Sequence, residues 1–337
     1  MIQSPFCCYN FGMDDKKKRI LITGANGFIG FNVLKYLYDK NIFSITALVH
    51  NSVSSKFQTL KNINIIKSDV TKEMNLPLFD IVIHCAGYAS DVGSDDIFRR
   101  LNFESVKNVS KFAKEKFIHI SSTDVYGIKD FCNADENTPF HNFPKNPYPK
   151  YKIEAENWIK NNYDKKYVIL RPAAVWGEND KTIENRVTDF LKVSPYFIYF
   201  GKWKGKNRWP LTNVENIAKV IFAVCMNDDF DCEAINIIDS KITAISEYYQ
   251  NIAKKYFPEK NFKTLYFPLW FGKNIGFISV FLSDILKLKK PLFDPTYYSL
   301  HHISSNLDFN NQKMLKAVNF ADNLNIEKTS ELEINLC

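Results

Sequence analysis

Six short apolar runs, rich in β-branched residues, recur through the first half of the chain at 18–24, 44–50, 64–70, 80–86, 117–122 and 167–172. Amphipathic stretches such as 28–39 and 105–114 separate them. A strand that is apolar on both faces cannot leave either face in water. Runs of this kind alternating with helices therefore predict a parallel sheet covered on both sides, an α/β fold of the doubly wound type. After residue 177 the rhythm changes. A helix is expected over 212–226 and one more strand over 234–239, so 210–240 returns to the sheet. The segments 178–209 and 241–330 are expected to form a smaller, mostly helical substrate lobe, and 1–17 a flexible N-terminal extension.

The first strand runs into Thr23-Gly24-Ala25-Asn26-Gly27-Phe28-Ile29-Gly30. Strand, G-x-x-G-x-x-G and helix in that order suit the pyrophosphate of a dinucleotide. Gly24 makes the tight turn, Gly27 allows backbone approach, and Gly30 allows close helix packing. Free N–H groups at the helix start complement the phosphates. Residues 18–177 thus read as a dinucleotide-binding domain, with Gly24, Asn26, Gly27, Phe28, Ile29 and Gly30 as cofactor contacts. The second strand ends in His50-Asn51, without the acid that would hold both ribose hydroxyls, which favours NADP over NAD. Asp69 and Val70 after the third strand are placed at the adenine edge, and Ala86 and Gly87 after the fourth lie under the cofactor. Pro172 closes the sixth strand and is placed with these contacts.

Tyr148 and Lys152 are four apart and share one helix face. A phenol of pKa near 10 is a poor acid or base at neutrality, and a neighbouring ammonium would lower it. Ser122, in Ser121-Ser122-Thr123-Asp124-Val125-Tyr126-Gly127, would orient a carbonyl or alcohol oxygen. These three are the expected catalytic residues, with Tyr148 and Lys152 also touching the cofactor. Thr123, Asp124, Ala174 and Arg208 are the expected substrate contacts. The basic, aromatic stretch 201–209 is read first as a solvated basic hairpin; if it meets a phosphate, Arg208 is the candidate, because guanidinium grips phosphate in two places.

Taken in order, TGANGFIG (23–30), HCAG (84–87), LNFESVKNV (101–109), ISSTDVYG (120–127), YPKYKIEAE (148–156), RPAAVWG (171–177) and TNVENIA (212–218) resemble the extended short-chain dehydrogenase/reductases. That branch holds the NAD(P)-dependent epimerases, dehydratases and 3β-hydroxysteroid-dehydrogenase-like reductases. The YPKYK form and the tail from Asp308 look more like the hydroxysteroid-dehydrogenase and flavonol-reductase-like subgroup. The resemblance implies hydride transfer at a secondary alcohol or ketone of a sugar nucleotide, a lipid-linked sugar or a bulky apolar substrate. It places Ser122, Tyr148 and Lys152 at the catalytic positions and Asn102 at the start of a central helix, as local hydrogen-bond support. It also implies a homodimer built on helices at 105–114 and 150–161. Sugar 4,6-dehydratases of similar sequence carry an Asp-Glu pair where this chain has Thr123-Asp124, so dehydration is disfavoured. Ala174 stands where many epimerases have an asparagine. A non-catalytic NAD(P)-binding sensor or scaffold is the alternative reading, and the intact triad argues against it.

Other classes are poorly served. A chain that is 45% hydrophobic and 24% charged is not disordered. The net charge of +7 is diffuse, the run at 16–19 reads as a solvated lead-in, and no nucleic-acid module is present. The seven cysteines show no ligand or disulfide spacing, so no metal is expected. Reduced thiols and residues 1–12 without the pattern of a secretory signal point to the cytoplasm, with Met13 an alternative start. The apolar stretch 267–286 is broken by Lys273, Asn274, Ser279 and Asp284. It is read as a helix of the lobe core or pocket wall in preference to an interfacial membrane helix, and not as a stable span.

Overall fold

The apolar runs take up the strands of one sheet, as a computed structural model describing residues 17–178, 180, 183–241, 243–286 and 295–334 shows. The expected extension 1–17 and Met13 lie outside the described residues save for residue 17. In chain order the first half consists of β1 (Lys18–Thr23), α1 (Phe28–Lys40), β2 (Phe43–Val49), β3 (Asn64–Lys67), β4 (Phe79–His84), α2 (Asp95–Arg99), α3 (Ser105–Ser110), β5 (Ala113–Ile120), α4 (Pro147–Asn162) and β6 (Lys166–Pro172). Then come β7 (Ala174–Trp176), α5 (Ile183–Val193), β8 (Tyr196–Phe200), β9 (Arg208–Trp209), β10 (Leu211–Asn213), α6 (Val214–Met226) and β11 (Glu233–Ile237). The chain finishes with β12 (Thr243–Ala244), α7 (Ile245–Tyr256), β13 (Lys263–Phe267), α8 (Leu269–Ile285), α9 (Tyr297–Ser304) and α10 (Gln312–Ile334).

The main sheet has seven strands in the order β11-β6-β5-β4-β1-β2-β3, and every pairing in it is parallel. The order of the strands reverses beside β1: the chain steps out through β2 and β3 and returns to β4 on the other side, and doubly wound sheets take ligands at the carboxyl end of such a switch point. Ile20, Ile22, Ile81, Ile83 and Ile118 face α1 and α6 on one side. Leu21, Val82, Phe117 and Ile169 face α3 and α4 on the other. After residue 210 the chain runs through β10, which pairs with β7, and α6 to β11, the strand that joins the edge of the main sheet, with Asn213 capping α6 by accepting from Glu215 N.

Two elements differ from expectation. The helix expected over 105–114 ends at Ser110, because Ala113 already pairs with Phe79 and Lys116 must reach Asp228 and Asp231 from within β5. Asn102 does not begin a helix. It is buried in a π turn (Arg100–Glu104) that joins α2 to α3.

The stretch 267–286 lines a cavity through Pro268, Leu269 and Lys273, as a pocket-wall helix would, but it does not fill a lobe core. Most of its large side chains point outward, Trp270 being 63% and Phe277 66% exposed.

Candidate active site

The glycine turn is shaped as its spacing demands. Gly24 has φ +64°, and a Cβ there would lie 2.7 Å from Ala86 N, so β1 and β4 close against each other at this residue. A Cβ on Gly30 would reach 2.3 Å from Gly24 O. The turn therefore packs on the first turn of α1, whose start at Gly27 carries no side-chain cap. Asn26 ties the turn to the loop after β2, donating to Ser52 O and accepting from Ser54 N at 3.2 Å. Phe28 and Ile29 enter α1 half-buried, and Ile29 packs against the main core. Below the turn, Thr23 Oγ1 lies 2.8 Å from His84 Nδ1 and accepts from Ala86 N at 3.2 Å.

At the next strand ends, His50 and Asn51 are exposed. His50 Nε2 lies 3.8 Å from Asp69 Oδ2. Partial burial raises the Asp69 carboxyl, but hydrogen bonds from Thr71 and the charges of His50 and Lys72 outweigh it and hold Asp69 below its ordinary value. Val70 is buried in the core, and its carbonyl accepts from Asn108 at 3.0 Å.

Ser122 ends the extended segment after β5, and its Oγ accepts from Asp124 N at 3.2 Å, opening a short 3₁₀ turn. Asn146 caps α4 by accepting from Tyr148 N at 2.8 Å, with Pro147 at the first helical position. That cap brings the Tyr148 phenol close enough to Ser122 and Asp124 to feel both. One turn later, buried Lys152 donates to Ile120 O at 2.7 Å. The exposed Gly87 sits close against Asn102 and Lys152. A Cβ would meet Asn102 Oδ1 at 3.0 Å and Lys152 Nζ at 3.5 Å. Asn102 in turn clamps the Tyr88 backbone through both its N–H and its carbonyl. Ser122, Tyr148, Lys152 and Gly87 thus meet at one place, at the carboxyl ends of β4 and β5. The buried Ser121–Glu156–Arg171 network beneath fixes α4 to the sheet.

The electrostatics correct one expectation. Burial and then the Asp124 charge push the Tyr148 phenol above its ordinary value, against a smaller opposing effect of the nearby Ser122 hydroxyl. Lys152, whose ammonium donates to the Ile120 carbonyl, is not among the groups that shift the phenol. Burial instead lowers Lys152 itself to about 8, despite Glu156 and Cys85.

Asp124 does not stand open to substrate. Tyr298 donates to its Oδ2 at 2.6 Å and His302 Nε2 lies 3.2 Å from the same oxygen. Burial works against charge on both partners of that ion pair, yet their mutual attraction wins, holding Asp124 below and His302 above its ordinary value. Behind it Arg186 grips Asp91 through two bonds of 3.0 and 2.7 Å, and Thr296 donates to Asp91 at 2.7 Å. Sequence reasoning missed Asp91, Arg186, Tyr298 and His302. The spacing of Tyr298 and His302, which equals that of Tyr148 and Lys152, was the one available signal. Asp91, in the segment after β4, and Arg186, on α5, come together from distant parts of the chain, and no local spacing records the pair.

The remaining expected substrate residues divide. Thr123 is buried beside Ser122, and Ala174 is half-buried in β7, opposite Leu211. Arg208 is not brought to the cluster. Its guanidinium pairs with Asp308 at 2.7 Å, so the charge expected to meet a phosphate braces β9 against the segment before α10. Pro172 is buried at the end of β6. Among the described residues no group of three or more His, Cys, Asp or Glu is placed to hold a metal ion.

A model of the NAD dependent epimerase/dehydratase family matches residues 20–237. The chain belongs to that family. It is 28% identical over 176 residues to a UDP-glucose 4-epimerase of Vibrio cholerae, covering 49% of this chain and 54% of that one. It is 24% identical over 277 residues to the N-acetyl-alpha-D-glucosaminyl-diphospho-ditrans,octacis-undecaprenol 4-epimerase of Escherichia coli O157:H7, covering 79% and 80%. The chain thus spans about half the length of the first of these relatives and four-fifths of the second. The crystal structure of a UDP-glucuronic acid 4-epimerase from Bacillus cereus in complex with NAD superposes with a TM-score of 0.62 at 21% identity, over 74% of this chain and 86% of that one. At that identity the likeness is one of fold. As a member of this family the chain is of the extended short-chain dehydrogenase/reductase type.

Proposed function

We propose that this chain catalyses reversible hydride transfer at a secondary alcohol or ketone carried by a sugar nucleotide, a lipid-linked sugar or a bulky apolar molecule. The observation that carries the reading is the meeting of Ser122, Tyr148 and Lys152 at the strand ends, beside a glycine turn built for pyrophosphate.

The residues fit a nicotinamide dinucleotide. The uncapped start of α1, the open face at Gly27 and the Cβ-free surface at Gly87 would hold it, with Lys152 at the ribose. When bound, the nicotinamide supplies the hydride acceptor or donor. Ser122 orients the substrate oxygen. Tyr148, held protonated by burial and by Asp124, donates a proton to that oxygen in the reducing direction and recovers it in the oxidising one. His302 and Tyr298 keep Asp124 fixed and bound, which leaves it unsuited to the proton transfers of dehydration. The absence of an acid in the loop after β2 favours NADP. The ionised Asp69 beside His50 would repel a 2′-phosphate set against that ring, so the preference over NAD is small. In this reading the segments 178–209 and 241–330 form the substrate lobe, and the active species is a homodimer through α3 and α4.

The test is NADPH and NADH binding by fluorescence, followed by oxidation of the bound cofactor with a panel of ketones. Tyr148→Phe should cut turnover by about 10²-fold or more with cofactor affinity retained. Preserved turnover in that variant removes the proton-transfer role. Tight cofactor binding with no turnover by the native chain across the panel favours the sensor or scaffold reading.

A further inference from the structure

The helix α8 is packed inside out. Its residues Gly272, Gly276 and Ser279, at i, i+4 and i+7, form the buried stripe. A Cβ on Gly272 would strike the Phe200 ring at 2.7 Å, and one on Gly276 would strike Tyr297 N at 2.7 Å. The small residues are what lets α8 lie directly on α9 and β8. Most of the large described side chains on the helix face away: Trp270, Phe271, Ile275, Phe277, Ile278, Phe281 and Ile285 are exposed, while Leu269 and Leu282 are half-buried. Water-soluble surface helices show the reverse arrangement, and an apolar patch this continuous marks an interaction surface. Small residues toward a neighbouring helix and large apolar ones outward is the arrangement of helices whose surroundings are lipid.

The surface also has a sign. At the N-terminal end of α8, a cavity of about 520 Å³ is lined by Lys129, Lys202, Leu269, Lys273 and His301, with Asp130 as its one acid. Lys204 sits 5.8 Å from the Tyr266 ring on β13, the strand leading into α8. Lys202 pairs with Asp130, which leaves Lys129, Lys204 and Lys273 as net positive charge at the rim. His301 adds none, since burial and then the charges of Lys273 and His302 lower it to about 4.

The helix lies flat along α9 and β8 on the body of the protein. No helix among the described residues is long and apolar enough to cross a membrane. A helix of about 17 residues spans ~26 Å, short of a ~30 Å hydrocarbon core.

The geometry points to α8 as an in-plane docking helix for an anionic bilayer surface, its aromatic and aliphatic face sunk at the acyl boundary and its basic end among the headgroups. The body of the protein takes the place of the polar face that an isolated interfacial helix would carry. A second copy of the chain is the competing occupant. It is disfavoured because a surface rimmed by lysines on both copies repels itself, and because the expected dimer uses α3 and α4. The inference stands apart from the identity of the substrate. It also brings α8 within one helix of the chemistry, since α9 carries Tyr298 and His302 to Asp124.

The test is flotation of the full chain with vesicles of phosphatidylcholine alone and of phosphatidylcholine with about one-third phosphatidylglycerol, at low and high salt. Binding is expected to the anionic vesicles, at least tenfold weaker to neutral ones, and reduced by salt. Phe277→Glu/Phe281→Glu should cut it at least tenfold while leaving the melting temperature and cofactor binding unchanged, because both side chains are already in water. Lys273→Glu should weaken binding to anionic vesicles alone. No vesicle binding by the native chain, or binding that the double variant leaves intact, overturns the inference. So does a native oligomer that the double variant dissociates without any vesicle binding, which would make the face a subunit contact.

Discussion

Helices α6 and α8 are both strongly apolar, and the fold treats them in opposite ways. In α6, Ile217, Val220, Ile221 and Val224 fill the core between the sheet and α1 and α10. In α8 the glycines and Ser279 are inside and the phenylalanines outside. Composition does not separate the two. What separates them is the neighbour. The flat, apolar face of the main sheet accepts large side chains, whereas α9 approaches α8 so closely that only small ones fit between. The same division holds for chemistry. The sheet half contributes Ser122, Tyr148 and Lys152, and the C-terminal helices contribute the groups that hold Asp124.

The sharpest way to break the comparison is to truncate one side chain in each helix. Ile221→Ala should cost about 2–5 kcal/mol in urea unfolding, through the cavity it leaves. Phe277→Ala should stay within about 0.5 kcal/mol in the same assay. Equal losses would show that α8 is covered after all. The next largest effect lies where the two halves meet. His302→Gln removes the cation beside Asp124 and should cost roughly 1.5–3 kcal/mol. Because His302 is raised in the folded chain, its stabilisation is complete below its ordinary value near 6.5 and is lost as pH climbs through the raised value. Melting temperatures of native and variant chains should therefore converge at alkaline pH, and parallel curves would mean the pair is not proton-linked.

Within the sheet half, Lys152 loses its proton near pH 8 in the free protein. If its charge holds the cofactor, affinity should fall by up to about tenfold per pH unit above that value, and Lys152→Met should flatten the alkaline limb. A limb that survives the substitution assigns it to another group. The smallest expected effect is at His50. His50→Asp should move the NADP to NAD preference toward NAD severalfold, read as the ratio of dissociation constants. An unchanged ratio places His50 away from the 2′ position.

The parallel sheet was legible because a strand buried on both faces cannot hide its pattern. All six apolar runs of the first half and the run at 234–239 became its strands. The glycine turn was legible because the close approach of Gly24 to Ala86 admits no side chain. Tyr148 and Lys152 were legible as neighbours because helix geometry fixes what four residues apart means. What each side chain then touches was not legible. Arg208 met Asp308 instead of a substrate site, and Lys152 met the Ile120 carbonyl instead of the phenol. The local sequence holds no record of a partner brought in from a distant part of the chain.

Residue order alone determined the α/β class, the register of the glycine turn and the identity of the catalytic candidates, since each depends on spacings within a few residues. The tertiary structure alone decided that Asp124 is held by Tyr298 and His302, that the Tyr148 phenol is raised in the free protein, and that α8 turns most of its large side chains outward. These depend on burial and on contacts between distant segments. Desolvation and packing are properties of the assembled molecule, and no local pattern carries them.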